Sequence, residues 1–286
     1  MYSEEVQKNL QAALAALPAQ VAALPQEPGA DALRLRHYVT RDFSFYKEHG
    51  PLNIVVAGDS VSHGSVGGNV GTVYDTVYHN RLRLMINRAF PTIPVNIINT
   101  AVGGETAGYA VQHFERDVLS HHPDLVIICF GLNDVNLEED DFAHSLGALF
   151  DLCLENGLQA VYLSPNMLNT YRAPQTAAQY FDYAQKTADM QNSGRMDRYI
   201  ARACTLARGC GIPVADAYAV WRQWQNAGID TTLLLANYIN HPLREMHLLF
   251  AAVLYRTIFS VPYDGCGEES EALDGMAEAT LRQGNL

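Results

Sequence analysis

Five short apolar runs punctuate the chain from residue 52 onward, at residues 53–57, 95–99, 125–130, 160–163 and 212–215. Runs this short and this apolar suit strands buried on both faces. Segments with helical spacing lie between them, at about 74–89, 107–120, 140–156 and 194–208. The pair Asn156-Gly157 ends the third of these as a helix C-cap does. Strands alternating with helices predict an α/β fold with a parallel sheet and right-handed crossovers. A short helix near 221–228 and a longer one at 243–259 complete this part of the chain.

The pattern before residue 52 is weaker. Val6, Leu10, Leu14, Leu17 and Val21 recur at helical spacing across residues 4–24, with Pro18 predicted to kink or end the helix. Residues 25–50 are mixed, with a short helix expected around 32–38. Three parts follow: a helical and irregular extension at 1–50, a main domain at 51–262, and an acidic tail at 263–286. The extension reads as a cap on the main domain or an oligomer contact, and the tail as loop followed by a short helix. Residues 165–192, with their Asn, Tyr and Gln, predict an insertion or lid near the C-terminal edge of the sheet.

Composition narrows the function classes. The 286 residues are 48% hydrophobic and 17% charged, which suits a chain with one large core and not a disordered one. The net charge of −12 argues against a nucleic-acid partner, because phosphate neutralisation needs clustered cations. Cys129, Cys153, Cys204, Cys210 and Cys266 are odd in number and lack C-x-x-C spacing, so free thiols in a reducing compartment are expected. The N-terminus lacks the basic and apolar regions of a signal peptide, which predicts a cytoplasmic location. No apolar run is long enough to span a bilayer. The ten histidines show no H-E-x-x-H spacing, and no metal site is predicted.

Chemistry-bearing residues gather where the predicted strands end. The first strand stops at Gly58-Asp59-Ser60, the second runs into Asn99 to Thr106, and the third into Gly131-Leu132-Asn133-Asp134. A later loop reads Asn237-Tyr238-Ile239-Asn240-His241-Pro242. In a parallel sheet the first three turns leave the same edge, so Ser60, Gly104 and Asn133 can converge. The N–H groups of Ser60 and Gly104 and the Asn133 amide can then donate to one oxygen, as an oxyanion hole does. His241 can serve as the base that takes the Ser60 proton. Taken singly, each element has a plainer meaning: a turn, a helix cap, a structural histidine.

In this order the four blocks resemble the SGNH hydrolases, also called the GDSL esterase/lipase family. The resemblance runs from about residue 53 to 259 and includes His247 on the helix after the histidine block. It implies a three-layer α/β/α sandwich around a central parallel five-stranded sheet of flavodoxin-like type. It implies Ser60 as nucleophile, Gly104 and Asn133 as oxyanion donors with the Ser60 amide, and His241 as base. It implies hydrolysis of a small-molecule ester, often a short acyl or acetyl group on a carbohydrate or lipid, with no metal or organic cofactor.

One position departs from the pattern. The family usually carries Asp three residues before the histidine, and here that position is Tyr238, preceded by Asn237. Three readings stand open: a Ser-His dyad oriented by Asn237 or a backbone carbonyl, a carboxylate from elsewhere with Asp230 nearest upstream, or a site that binds without turnover. Asp59 is expected to support its turn, His63 and His247 to pack, and Tyr162, Tyr171, Tyr180 and Tyr183 to lie on the surface or in packing. Residues 166–171 are expected along a substrate cleft. The expected function is a serine esterase working through an acyl-enzyme. An acyltransferase with the same residues and a carbohydrate- or partner-binding module on the same scaffold are the alternatives.

Overall fold

The computed structural model describes residues 2–66 and 72–260. The expected acidic tail and Cys266 lie outside the described residues. Five strands form one parallel sheet: β1 (Leu52–Gly58), β2 (Val95–Asn99), β3 (Leu125–Cys129), β4 (Ala160–Leu163) and β5 (Val214–Ala215). The spatial order is β2-β1-β3-β4-β5. β1 is the pivot, with Val55 opposite Ile98 of β2 and Val126 of β3. Every residue of β3 and β4 is buried, which explains why their apolar runs show no alternation.

The helices of the sandwich are α1 (Glu4–Ala23), α2 (Arg34–Tyr38), α3 (Phe43–His49), α4 (Ser60–His63), α5 (Tyr78–Ala89) and α6 (Ala107–Gln112). They continue with α7 (Phe114–Asp117), α8 (Glu139–Glu155), α9 (Phe181–Asn192), α10 (Arg195–Gly209), α11 (Ala217–Asn226) and α12 (His247–Phe259). One packed group joins α5, α12, α1 and α11, and another joins α6, α8, α10 and α9. The result is the three-layer α/β/α sandwich.

Two expectations needed adjustment. Pro18 neither ends nor splits α1, which runs unbroken through it. An interior proline costs about 3 kcal/mol. Burying a Val or Leu side chain contributes about 1.5–3 kcal/mol. Val6, Leu10, Leu17 and Val21 are all buried against the main core, so packing outweighs the lost backbone bond. The described part of the extension, residues 2–50, thus shares one apolar core with the strands. The helix expected at 107–120 is broken into α6, α7 and a 3₁₀ turn at Leu119–His121. The breaks fall at His113 (φ −114°, ψ 14°) and Val118 (φ −125°, ψ −64°), which leave helical geometry while Phe114 and Val118 stay buried.

The strand order sets the location of the site. The chain leaves β1 toward β2 on one side, and β3 enters on the other. Ligands of such sheets bind outside the carboxyl ends of the strands at this switch point. Ser60 follows β1, Gly104 follows β2 and Asn133 follows β3.

Candidate active site

Ser60 is positioned by a tightly packed turn. A Cβ on Gly58 would lie 2.3 Å from Ser62 Oγ and 3.0 Å from the Cys129 carbonyl oxygen, so only glycine lets β1 run this close to α4 and β3. Asp59 is extended and caps α4, its carboxylate accepting from Val61 N–H at 2.9 Å. Burial pushes the Asp59 pKa up to about 7; the Val61 N–H bond opposes this and Asp134 adds to it. The Ser62 carbonyl accepts from His79 Nε2 at 3.0 Å and from Asn99 Nδ2 at 3.2 Å. Ser62 Oγ pairs with the buried Tyr78 hydroxyl at 2.7 Å. Bonds from β2 and α5 therefore hold the short helix that Ser60 begins.

The loops after β2 and β3 are clamped together beside it. Val102 N–H donates to the Gly58 carbonyl at 3.1 Å. A Cβ on Gly103 would sit 3.7 Å from Ser60 Cβ, so this loop passes directly over the serine. Gly104 has φ +87°, in the left-handed region that favours glycine. The fully buried Asp134 accepts from Ala107 N–H and Gly131 N–H, both at 2.9 Å, tying the start of α6 to the turn after β3. Burial pushes its pKa up to about 6 against those two bonds. Asn133 Nδ2 donates to the Glu105 carbonyl at 2.9 Å. One amide proton of Asn133 is thereby used, and the other is free to face the cleft that Asn133 lines.

His241 comes from a closed loop. Leu235 and Pro242 form an antiparallel bridge, and Ala236 N–H donates to the His241 carbonyl at 2.7 Å. Tyr238 turns the loop at φ +58°. The buried Asn166 amide donates to the Asn240 carbonyl at 2.8 Å, and Asn169 N–H donates to the Ile239 carbonyl at 2.8 Å. This places His241 Nε2 2.7 Å from Ser60 Oγ. On the other side of the ring, Nδ1 lies 3.2 Å from Asn237 Nδ2. Burial pushes the His241 pKa down to about 4, with no acidic side chain raising it.

Ser60, Gly104, Asn133 and His241 line one cleft of about 670 Å³. Asn237 and Tyr238 form one wall, and Gln175, Gln179, Tyr180 and Tyr183 form another. No Asp, Glu, Lys or Arg lines it among the described residues. No group of three or more His, Cys, Asp or Glu residues is placed to hold a metal among the described residues. No helix is long and apolar enough to cross a membrane among them.

Several sequence expectations change here. Asp230 is not at His241: one carboxylate oxygen accepts from Thr232 and Leu233 N–H, and the other from the Tyr171 hydroxyl at 2.7 Å. It caps the turn at Thr231–Leu234. Residues 166–169 do not line the cleft but are buried beneath the histidine loop. The cleft wall instead comes from Tyr180 and Tyr183, expected only as surface or packing residues. Tyr162 is buried and donates to the Phe130 carbonyl. His247 packs as expected, its Nδ1 accepting from Tyr78 N–H at 3.3 Å. Sequence reasoning left Asp134 without a role. Its signal was an acid directly after Asn133 in a turn beginning with glycine.

The sequence profile of the GDSL-like Lipase/Acylhydrolase family matches residues 56–249. No curated protein sequence matches the chain. Among solved structures, a catalytic mutant of Axe2, an acetylxylan esterase from Geobacillus stearothermophilus, superposes with a TM-score of 0.57 at 17% identity, covering 72% of this chain and 94% of that one. Axe2 itself gives a TM-score of 0.54 at 19% identity over the same shares. The acetyl xylan esterase AlAXEase gives 0.55 at 16% identity, covering 72% of this chain and all of that one. At such identities the neighbours establish the fold, and the family assignment rests on the profile match across most of the chain. The chain belongs to the GDSL-like lipase/acylhydrolase family and is a hydrolase of ester bonds.

Proposed function

We propose that this hydrolase works through an acyl-enzyme on Ser60, with His241 as its base, on a short-acyl ester of a neutral polar alcohol such as a carbohydrate. The observation that carries the reading is the 2.7 Å contact between Ser60 Oγ and His241 Nε2 beside Gly104 and Asn133. Ser60 Oγ attacks the ester carbonyl as its proton passes to His241 Nε2. Charge develops on the carbonyl oxygen, where Ser60 N–H, Gly104 N–H and the free Asn133 amide proton can meet it. Such donors act without reorganising during the reaction, and losing one typically costs about 10²–10³ in rate. His241 then gives its proton to the leaving alcohol, and water repeats the sequence to release the acid.

The substrate class follows from the cleft lining. Five amide side chains (Asn133, Gln175, Gln179, Asn237 and Asn240) and three tyrosines flank the serine without a fixed charge. Amides pair with hydroxyls, and exposed aromatic faces such as Tyr180 cover the apolar face of a sugar ring. The acetylxylan esterase activity named for the structural neighbours is in keeping with that lining.

Ser60→Ala beside the unaltered protein on p-nitrophenyl acetate tests the mechanism. Loss of turnover in the variant is expected, and equal rates overturn the proposal. Faster release of acetate from acetylated oligosaccharides than of long-chain acids from lipid esters is expected, and the reverse order overturns the substrate class.

A further inference from the structure

The hydrogen bonds around Asn237 fix which way its amide faces. Asn237 Oδ1 accepts from the backbone N–H groups of Ile239, Asn240 and His241, each at 3.0 Å. A flipped amide would press its own N–H protons against those three donors, so the oxygen stays toward the backbone. The Asn237 nitrogen therefore points outward, 2.9 Å from Asn240 Oδ1 and 3.2 Å from His241 Nδ1. Its two protons match these two neighbours. A nitrogen that receives a proton in this way has no proton of its own.

We infer that Asn237 is a positioning residue that holds resting His241 as the Nε2–H tautomer, the form that donates to Ser60 and cannot accept its proton. The inference rests on the roles proposed for Ser60 and His241. The neutral ring carries one proton, shared between Nδ1 and Nε2. With Nδ1 occupied by the Asn237 donor, that proton sits on Nε2 and points at Ser60 Oγ across the 2.7 Å contact. Before attack the proton must leave Nε2 and another must bind Nδ1, by exchange with solvent. Nε2 can then take the serine proton. Both that working tautomer and the imidazolium formed on attack carry Nδ1–H, which faces the Asn237 N–H donor with no acceptor between them.

The size of the effect has a parallel in serine-protease triads, where exchanging the orienting Asp for Asn leaves the geometry intact but costs about 10⁴ in kcat through the wrong tautomer. Asn237→Asp makes the reverse exchange here. One carboxylate oxygen keeps the three backbone N–H bonds, so the loop retains its closure. The other replaces the amide nitrogen and accepts from Nδ1–H. Asn240, whose oxygen faces that position, can rotate its amide to donate instead.

Two measurements test the inference. The first is the ¹⁵N spectrum of the imidazoles in the unaltered protein at neutral pH, with His241 assigned by its loss in His241→Gln. A protonated Nε2 and an unprotonated Nδ1 are expected; the opposite pattern overturns the inference, whatever the variant does. The second is kcat of Asn237→Asp on p-nitrophenyl acetate, with melting temperature as the check on folding. A rise of about 10²-fold or more, with the His241 proton moved to Nδ1, is expected. An unchanged or lower kcat in a variant that melts like the parent overturns it. Failure of the proposed function shows separately, as equal turnover by Ser60→Ala and the parent.

Discussion

Replacing Gly58 with Ala tests whether the close approach of β1 to α4 sets the position of Ser60. The added Cβ meets Ser62 Oγ at 2.3 Å, Ser62 Cβ at 2.7 Å and the Cys129 carbonyl oxygen at 3.0 Å. None of these can yield freely. Ser62 is buried and bonded to Tyr78, and Cys129 ends a central strand. Overpacking of this kind costs about 1–3 kcal/mol, a loss of about 2–4 °C in Tm per kcal/mol for a domain of this order of size. The catalytic cost should be larger. Ser60 lies two residues on, and a displacement of about 1 Å at a reacting atom costs about 10² in rate. Thermal melts and kcat on p-nitrophenyl acetate read both effects. Adding Ser62→Gly removes the two shortest contacts, so Gly58→Ala should cost less in that background than in the parent, a coupling that a double-mutant cycle measures. A Gly58→Ala protein that melts and turns over like the parent would refute the packing argument.

Two further outcomes are expected. Asn133→Ala should lower kcat by about 10²–10³ while KM stays within a few-fold, because the oxyanion role proposed for the amide acts on charge present only in the transition state; equal effects on kcat and KM would contradict this. In its proposed role as base His241 must be neutral, and burial without a carboxylate lowers its pKa to about 4. Activity should therefore persist below pH 6.5, with the acid limb of kcat/KM near pH 4, and a limb at or above pH 6.5 would contradict the account. Circular dichroism must accompany that profile. His79 and His247 are held neutral by burial, with pKa values of about 4 and about 3. Between those values and 6.5 only the unfolded chain is protonated at them, so their contribution to stability is lost as pH falls through that window.

What could be read from the sequence depended on the range of the forces involved. β1 and β3 were legible because a strand covered on both faces must be apolar at nearly every position. The ends of the strands were legible for a related reason: polar groups at Ser60, Gly104 and Asn133 follow directly where an apolar run stops. The helix through Pro18 was not, since its continuity depends on what buries Leu17 and Val21 across the fold. Nor was the break at His113, which no local residue demands. The cleft wall at Tyr180 and Tyr183 depended on how residues 165–192 cross the sheet edge, and spacing alone carries no such information. The missing acid before His241 was visible as Tyr238. What stands in its place was not, because the direction of the Asn237 amide is set by three backbone bonds that exist only once the loop has closed.

The central claim is that Ser60, activated by His241, forms the acyl-enzyme. Mass spectrometry of peptides from protein treated with a serine-directed phosphonate ester tests it most directly. The account predicts one adduct, on Ser60, absent from Ser60→Ala and formed more slowly in His241→Ala. An unmodified Ser60 in protein that loses ester turnover to the reagent, or an adduct on another residue, would contradict it.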